Sequence, residues 1–466
     1  MLRIGILVIV IELGGDYLKP RRGNLKILYE GTYISRGVTG IPKDALQTAN
    51  ALLRIKSITV DLIFSPRGVI SKFKPSNMDS AAAKAWVSVA TGLTLRKEVG
   101  EFTKELSLFD KLVIICQSLS LFRKVKKVKL NEIQKKPFHS SIKFSTFLGN
   151  GYISQIYIFG ISYFNRFSRP KILGLYKIDT KDYDYFIQQQ VDPISISKRT
   201  KHIVRLHDFL PFTYPQFFTK KGVKFFTESM TKMLLSKDKI WILDTEASVR
   251  EFKAYFGNQY QVRSIPCVVE FENKSGLDLI AKENQICMVN TIEPRKRVGL
   301  AIESFRHGKI TGVIPSDWTF VIIGKNGWGE SDKFFDDLAQ SKFGTDILYL
   351  AEATDFQVRQ YLSKSKILLS TSEAEGFGIP PLEGILHGCL PVVSAIPQHI
   401  ETTNNLAIYF EGNDVSKVVD ALQEAIRMPK EICDQKILDL QAHVLKNYSR
   451  QAIEQRWKEL FEEFRN

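Results

Sequence analysis

Cysteine is scarce and scattered. The chain has five in 466 residues (Cys116, Cys267, Cys287, Cys389 and Cys433), and none forms a CxxC pair or a Cys/His cluster. That spacing gives neither a disulfide framework nor a structural zinc site, and it suits a reducing, cytoplasmic setting. Long apolar runs are also missing. The stretch 4–11 is far below the roughly 20 residues that span a bilayer, and KPRRGNLK, not a small-residue cleavage site, follows it. It reads as an extra edge strand or an over-long start. GYISQIYIFGISYF (151–164) is interrupted by Gln, Ser and Gly and reads as core. Internal repeats and low-complexity tracts are absent, as are RNP, zinc-finger and helix-turn-helix signatures, so no nucleic-acid partner is expected.

What is present is an ordinary globular composition, 44% hydrophobic and 25% charged, on a chain long enough for two or three domains. Net charge is +15, unevenly spread. Residues 1–225 carry 37 Lys+Arg against 16 Asp+Glu (+21), and residues 226–466 carry 28 against 34 (−6). A basic front half points to an anionic partner. RKVKKVKL (123–130), just before KKPF, is the densest basic run and marks 123–136 as a face for an anionic membrane surface.

From residue 26 the pattern alternates strand and helix. LKILYEGTYI reads as a strand, IPKDALQTANALLRI as an amphipathic helix with Pro42 in its first turn, and TVDLIFSP as a second strand. This is a βαβ opening, expected of a parallel sheet. Residues 70–175 are less regular and read as elaborations of the first sheet. Short buried strands return in DYFIQQQ, HIVRLHDF, DKIWILDT and VRSIPCVVE, and polar 271–285 reads as a linker. A second βα series runs from QICMVNTI, with KFFDDLAQSKF among its helices, to paired helices at 416–427 and 431–446, and RQAIEQRWKELFEEFRN closes the chain as an amphipathic helix. The division expected is an N-terminal domain (1–270, with 1–25 an extension), the linker 271–285, a C-terminal domain (286–447) and a last helix (448–466). Two parallel-sheet domains imply a cleft, and ligands bind beyond the carboxyl ends of such strands.

The stretch STSEAEGFGIPPLEGILHG (370–388) carries the chemistry. ILLSTS is a buried strand, and Pro380 and Pro381 suit a helix's first turn, so GFGI is a strand-to-helix loop whose free N–H groups form an anion site. Gly376 and Gly378 permit close backbone approach. Glu375 and Glu383 suit sugar hydroxyls, which offer O–H donors. A nucleotide-sugar fits all of these: diphosphate on the amides of Gly376, Phe377, Gly378 and Ile379, and a sugar against each acid. Alternatively, Glu383 near the third helical position closes a capping box, and Glu375 is a solvated loop acid. DYD (182–184) precedes a buried strand and is not read as a metal site.

Residues 367–412 resemble the E-x7-E region of glycosyltransferase family 4, retaining transferases of the GT-B fold. EPRKR (293–297) resembles that family's E-P-R-K-N segment, with Arg297 where Asn is frequent. There the basic pair contacts the donor diphosphate, which implies the same for Arg295 and Lys296. The segment ending HDFLP resembles H-D-x-x-P, implying that His207 faces the donor sugar; Asp208 either orients that imidazole or caps the next turn. DTEASVREF resembles S-E-x-x-R, with Thr245 for Ser. GVTGIPKDAL resembles the glycine loop that nears the diphosphate, implicating Gly40, with Lys43 where Arg is common.

The resemblance implies an α/β GT-B architecture, two Rossmann-like parallel-sheet domains facing a cleft: 1–270 on the acceptor side, 286–447 binding the nucleotide-sugar, and the helix 448–466 crossing back to the first domain. It implies a cytoplasmic enzyme, peripheral on the inner membrane face, that moves a hexose from a donor such as GDP-mannose or UDP-glucose to a hydroxyl of a glycan or lipid-linked acceptor, with retention. Expected catalytic residues are Glu375, His207, Lys296 and Arg295, expected donor ligands Gly40, Gly376, Phe377, Gly378, Ile379 and Glu383, with no metal or other cofactor. A GT-B epimerase and a non-catalytic membrane- or nucleic-acid-binding module are the alternatives.

Overall fold

The computed structural model describes residues 7–11, 24–30, 40–64, 126–129, 150–154, 180–270, 281–327 and 346–465. Two sheets organise these residues. The first has nine strands: β1 (Leu7–Ile11), β2 (Leu25–Glu30), β3 (Ile58–Phe64), β4 (Lys126–Lys129), β5 (Asn150–Ser154), β6 (Tyr185–Gln188), β7 (Lys201–Arg205), β8 (Ile240–Leu243) and β9 (Gln261–Ser264). Their order is β4-β1-β5-β3-β2-β6-β7-β8-β9. Pairing is parallel except between β1 and β5. β1 is therefore an inner strand, not the edge strand its sequence suggests; the basic strand β4 takes that edge.

The second sheet is wholly parallel: β10 (Glu283–Val289), β11 (Thr319–Ile323), β12 (Ile347–Leu350), β13 (Ser365–Ser370), β14 (Leu390–Ser394) and β15 (Ile408–Phe410), ordered β12-β11-β10-β13-β14-β15. β10 starts at Glu283, so the last residues of the expected 271–285 linker are strand; residues 271–280 lie outside the described part, as do KFFDDLAQSKF (333–343) and most of 123–136.

Helices cover both sheets. α1 (Ile41–Arg54) connects β2 to β3, with Pro42 in its first turn and Ala45, Ala49 and Leu52 buried against Ile27, Tyr29 and Val60. α2 (Lys220–Leu234) and α3 (Glu246–Phe256) flank β8, and Phe252 of α3 packs on Trp241. In the second domain α4 (Val298–Thr311) follows β10, α5 (Asp355–Lys364) precedes β13, α6 (Ile379–Leu386) and α7 (Pro397–Thr402) lie either side of β14, and α8 (Val415–Arg427) follows β15. After α9 (Lys430–Tyr448), α10 (Arg450–Glu463) returns to the first domain: Ile453, Trp457, Leu460 and Phe461 enter the core built by β2, β3, β6 and α1. The chain's last helix thus ties the two domains. Among the described residues, no helix is long and apolar enough to cross a membrane.

Candidate active site

Two strand-end segments of the second domain converge. After β10, Glu293 leads into a short 3-10 turn, Pro294–Lys296, and Arg297 enters α4 with left-handed backbone (φ 49°). After β13, the chain runs through Thr371–Phe377 into α6. The two loops are stapled together: Glu373 N–H donates to the Arg295 carbonyl (2.8 Å), and Thr371 Oγ1 donates to the carbonyls of Lys296 (2.8 Å) and Arg297 (2.9 Å). The Arg297 guanidinium pairs with Glu373 and donates to the Gly412 carbonyl (3.1 Å). The Arg standing in place of the family's frequent Asn therefore has a structural task.

This stapling puts two cations on one carboxylate. Arg295 donates to Glu375 Oε2 (2.8 Å) and to the Ala374 carbonyl (2.9 Å), and Lys296 Nζ donates to Glu375 Oε1. Arg295 also pairs with Glu293 (2.7 Å). All but Arg295 are less than a tenth exposed. Burial alone would raise the Glu375 carboxyl, but Lys296 and Arg295 overcome it and hold it well below the usual range. Burial lowers Lys296 even with Glu375 beside it, and it raises Glu293. The solvated-acid reading of Glu375 is thereby excluded.

α6 begins at Ile379, with Gly378 as its N-cap in left-handed backbone (φ 86°). Glu383 is therefore the fifth helical residue, not the third, and closes no capping box. Its carboxylate instead accepts from Lys43 Nζ of α1, in the other domain. Phe377 points away from the loop into a core with Tyr448 and Leu382, so only its backbone is available to a ligand; the Ile379 side chain packs there too. Gly40 caps α1 (φ 50°), and among the described residues nothing lies within 4 Å of where a side chain would stand.

The domains touch at this loop. A Cβ on Gly376 would lie 2.3 Å from the His207 carbonyl oxygen, and one on Gly378 3.1 Å from the His399 ring. The expected close approach at Gly376 is thus made by the first domain's own backbone. His207 Nδ1 faces Asp244 (3.2 Å), and its Nε2 is buried without a hydrogen-bond partner, 3.8 Å from Asp44. Burial disfavours the imidazolium, but Asp244 and Asp44 outweigh it and shift His207 upward. Asp208 does not orient the ring; its carboxylate accepts from Leu210 N–H (3.2 Å) and caps the following turn. Asp244 is the orienting acid.

Sequence reading missed the group beneath His207. Arg205, fully buried, donates to both oxygens of Asp44 (2.8 and 3.1 Å), pairs with Asp244 (3.0 Å) and donates to the Ile265 carbonyl (2.9 Å). Asp44, His207 and Cys267 present ligand atoms within 4.8 Å of one another. However, Arg205 occupies both Asp44 oxygens, and burial pushes the Cys267 thiol well up. A metal ion there would face a buried, permanent cation, so the group is a salt-bridged cluster. His399 was also missed: Ser394 engages its Nδ1 (3.0 Å to the carbonyl), and its buried Nε2 has no hydrogen-bond partner.

The chain is similar to several known proteins. Over 153 residues the chain is 28% identical to the serotype-specific mannosyltransferase WbdA of Escherichia coli, covering 32% of this chain and 18% of that one. Over 233 residues it is 25% identical to the O-antigen chain mannosyltransferase RfbU of Salmonella typhimurium, covering 49% and 62%. The chain therefore spans less than a fifth of WbdA and under two thirds of RfbU. Among solved structures, sucrose-phosphate synthase from Thermosynechococcus elongatus superposes with TM-score 0.60 at 12% identity over 95% of this chain and 99% of that one. Anabaena Alr3699/HepE, in complex with UDP and glucose, gives 0.56 at 14% identity over 94% and 100%. The fold is GT-B, and residues 270–438, which hold the Arg295–Lys296–Glu375 cluster and α6, match the family model of the glycosyl transferases, group 1.

Proposed function

We propose that the protein is a retaining glycosyltransferase that moves a hexose, of mannose type, from a nucleoside diphosphate sugar to a hydroxyl of a glycan or lipid-linked acceptor. The observation that carries this is the convergence of Arg295 and Lys296 on Glu375 at the start of α6, where His207 of the opposite domain abuts Gly376. The mannose preference rests on the mannosyltransferase relatives. Two cations fixed beside a helix N-terminus suit a departing diphosphate, because negative charge grows there as the glycosidic bond breaks. The amides of Gly376–Ile379 add to that anion site. Glu375, kept ionised by Lys296 and Arg295, offsets the charge of an oxocarbenium-like sugar. His207 keeps Nε2 free for a sugar hydroxyl while Asp244 holds Nδ1. Glu383 takes the ribose hydroxyls and shares or releases Lys43 to do so. Gly40, at the start of α1, nears the diphosphate, and the reaction needs no metal.

A division between the two domains ahead of β10 belongs to this reading, as does reversible docking on anionic membrane through 123–136. The support for docking is the +21 charge of residues 1–225 and the edge position of β4. Phosphatidylglycerol vesicles should bind the protein at low salt and release it at high salt; indifference to these vesicles removes the docking face. A nucleotide-release assay across GDP- and UDP-sugars tests the chemistry, since slow donor hydrolysis needs no acceptor. Release from a single donor class is expected, and release from none refutes the assignment.

A further inference from the structure

One carboxylate of the second domain reaches the first and has no part in the proposed chemistry. Glu401, on α7, accepts from Glu246 N–H and from Ala247 N–H, both at 2.7 Å. These amides open α3, where N–H groups lack helical partners and favour an anion. A second tie lies beside it: Ser248 Oγ donates to the Gly376 carbonyl (3.4 Å), and Thr245 Oγ1 accepts from Ser248 N–H (3.1 Å). The residue before Thr245 is Asp244, which holds His207 Nδ1 and pairs with Arg205. α7 also carries His399, whose ring lies against Gly378. A six-residue helix thus contacts the α6 loop on one side and the support of His207 on the other.

We propose that Glu401 is a positioning residue: by clamping the first turn of α3 it fixes Asp244, and through Asp244 it seats His207 against the Gly376 loop. The physical link is short. Releasing two amides at the start of α3 loosens Thr245 and lets Asp244 shift against the imidazole. Domain approach and His207 orientation then become one event, so His207 is correctly held only when the second domain is in place. Its kinetic arm alone rests on the transferase reading.

The test uses the full chain carrying Glu401→Gln, with Glu401→Asp as the conservative variant. Amide exchange at Glu246 and Ala247 should accelerate at least about tenfold in Glu401→Gln, while exchange in β8 stays unchanged. The groups facing His207 are Asp244, Asp44, Arg205, Asp208 and the Cys267 thiol. Loosening Asp244 weakens the main interaction that raises His207 against burial, so His207 should titrate at lower pH; histidine-labelled NMR reads this, with His207→Gln assigning the resonance among seven histidines. Glu401→Asp should restore both readouts in part. In turnover, kcat should fall about tenfold or more with donor KM nearly unchanged. Faster exchange with an unmoved His207 titration would reduce Glu401 to an interdomain contact and overturn the proposal, as would unchanged exchange. Both readouts use ligand-free protein, so they decide the matter even if no nucleotide-sugar is turned over, an outcome that would refute the transferase reading instead.

Discussion

Glu375 shows how one residue can be necessary to both stability and chemistry. It neutralises Lys296 and Arg295 at once. Glu375→Gln leaves both cations buried without that charge, at a cost of about 3–5 kcal/mol, measurable by denaturant unfolding. The same change makes the diphosphate pocket more positive, so nucleoside diphosphate should bind as well or more tightly while transfer is lost. Glu383→Gln should behave oppositely, weakening nucleoside diphosphate binding by about 1–2 kcal/mol for a lost charged hydrogen bond. Calorimetry on both variants separates the roles, and equal binding losses would refute the assignment. The four charged residues of the α6 cleft were legible because they sit in spaced motifs. Arg205 and Asp44 were not: they belong to separate segments, HIVRLHDF and IPKDALQ, and they meet across 161 positions of sequence. Nothing in local spacing announces such a pair. Glu401 was hidden for the same reason, its partners being backbone amides.

At the scale of elements, the α6 loop is shaped by what it must touch. Gly376→Ala would put a methyl group 2.3 Å from the His207 carbonyl, a backbone atom that moves only with its domain. The variant should fold with an intact second domain and still bind nucleoside diphosphate, yet lose most transfer because the domains cannot close to the same distance. Thermal unfolding, ligand titration and turnover on one sample check this; unimpaired transfer would show that the contact is dispensable. Buried strands were legible as short apolar runs, since parallel strands covered on both faces lack alternation. The polar start of β10 read as linker because Glu283 is exposed there. α2 passed unmarked although Val223, Phe226, Met230 and Met233 recur along it at helical spacing.

The whole molecule is bound together by its last helix and tuned by buried titratable groups. Trp457 of α10 is fully buried in the first domain's core and stacks near Phe461, so Trp457→Ala should cost about 3–5 kcal/mol and loosen a domain built from the other end of the chain. Acid stability follows from His202 on β7. Burial, with Lys239 nearby, lowers it from its ordinary 6.5 to about 3, and its ring faces Gln188 Oε1 at 2.8 Å. The unfolded chain binds a proton at His202 near pH 6.5, whereas the folded protein refuses it until about pH 3. Between those values the unfolded state holds more protons, so stability is complete above 6.5 and declines as pH falls toward 3, by a few kcal/mol in all. Glu375, held low in the folded state, adds the same sign of change below its ordinary 4.5. His207, shifted upward, acts in reverse: its contribution is complete below 6.5 and is lost as pH rises through its folded value. Opposed slopes predict a stability maximum near neutrality. In urea titrations from pH 7 to 4, His202→Gln should remove the His202 share of the acid slope while keeping a hydrogen-bond donor for Gln188. A variant whose stability falls with pH as steeply as the wild type's would show that His202 titrates normally in the fold.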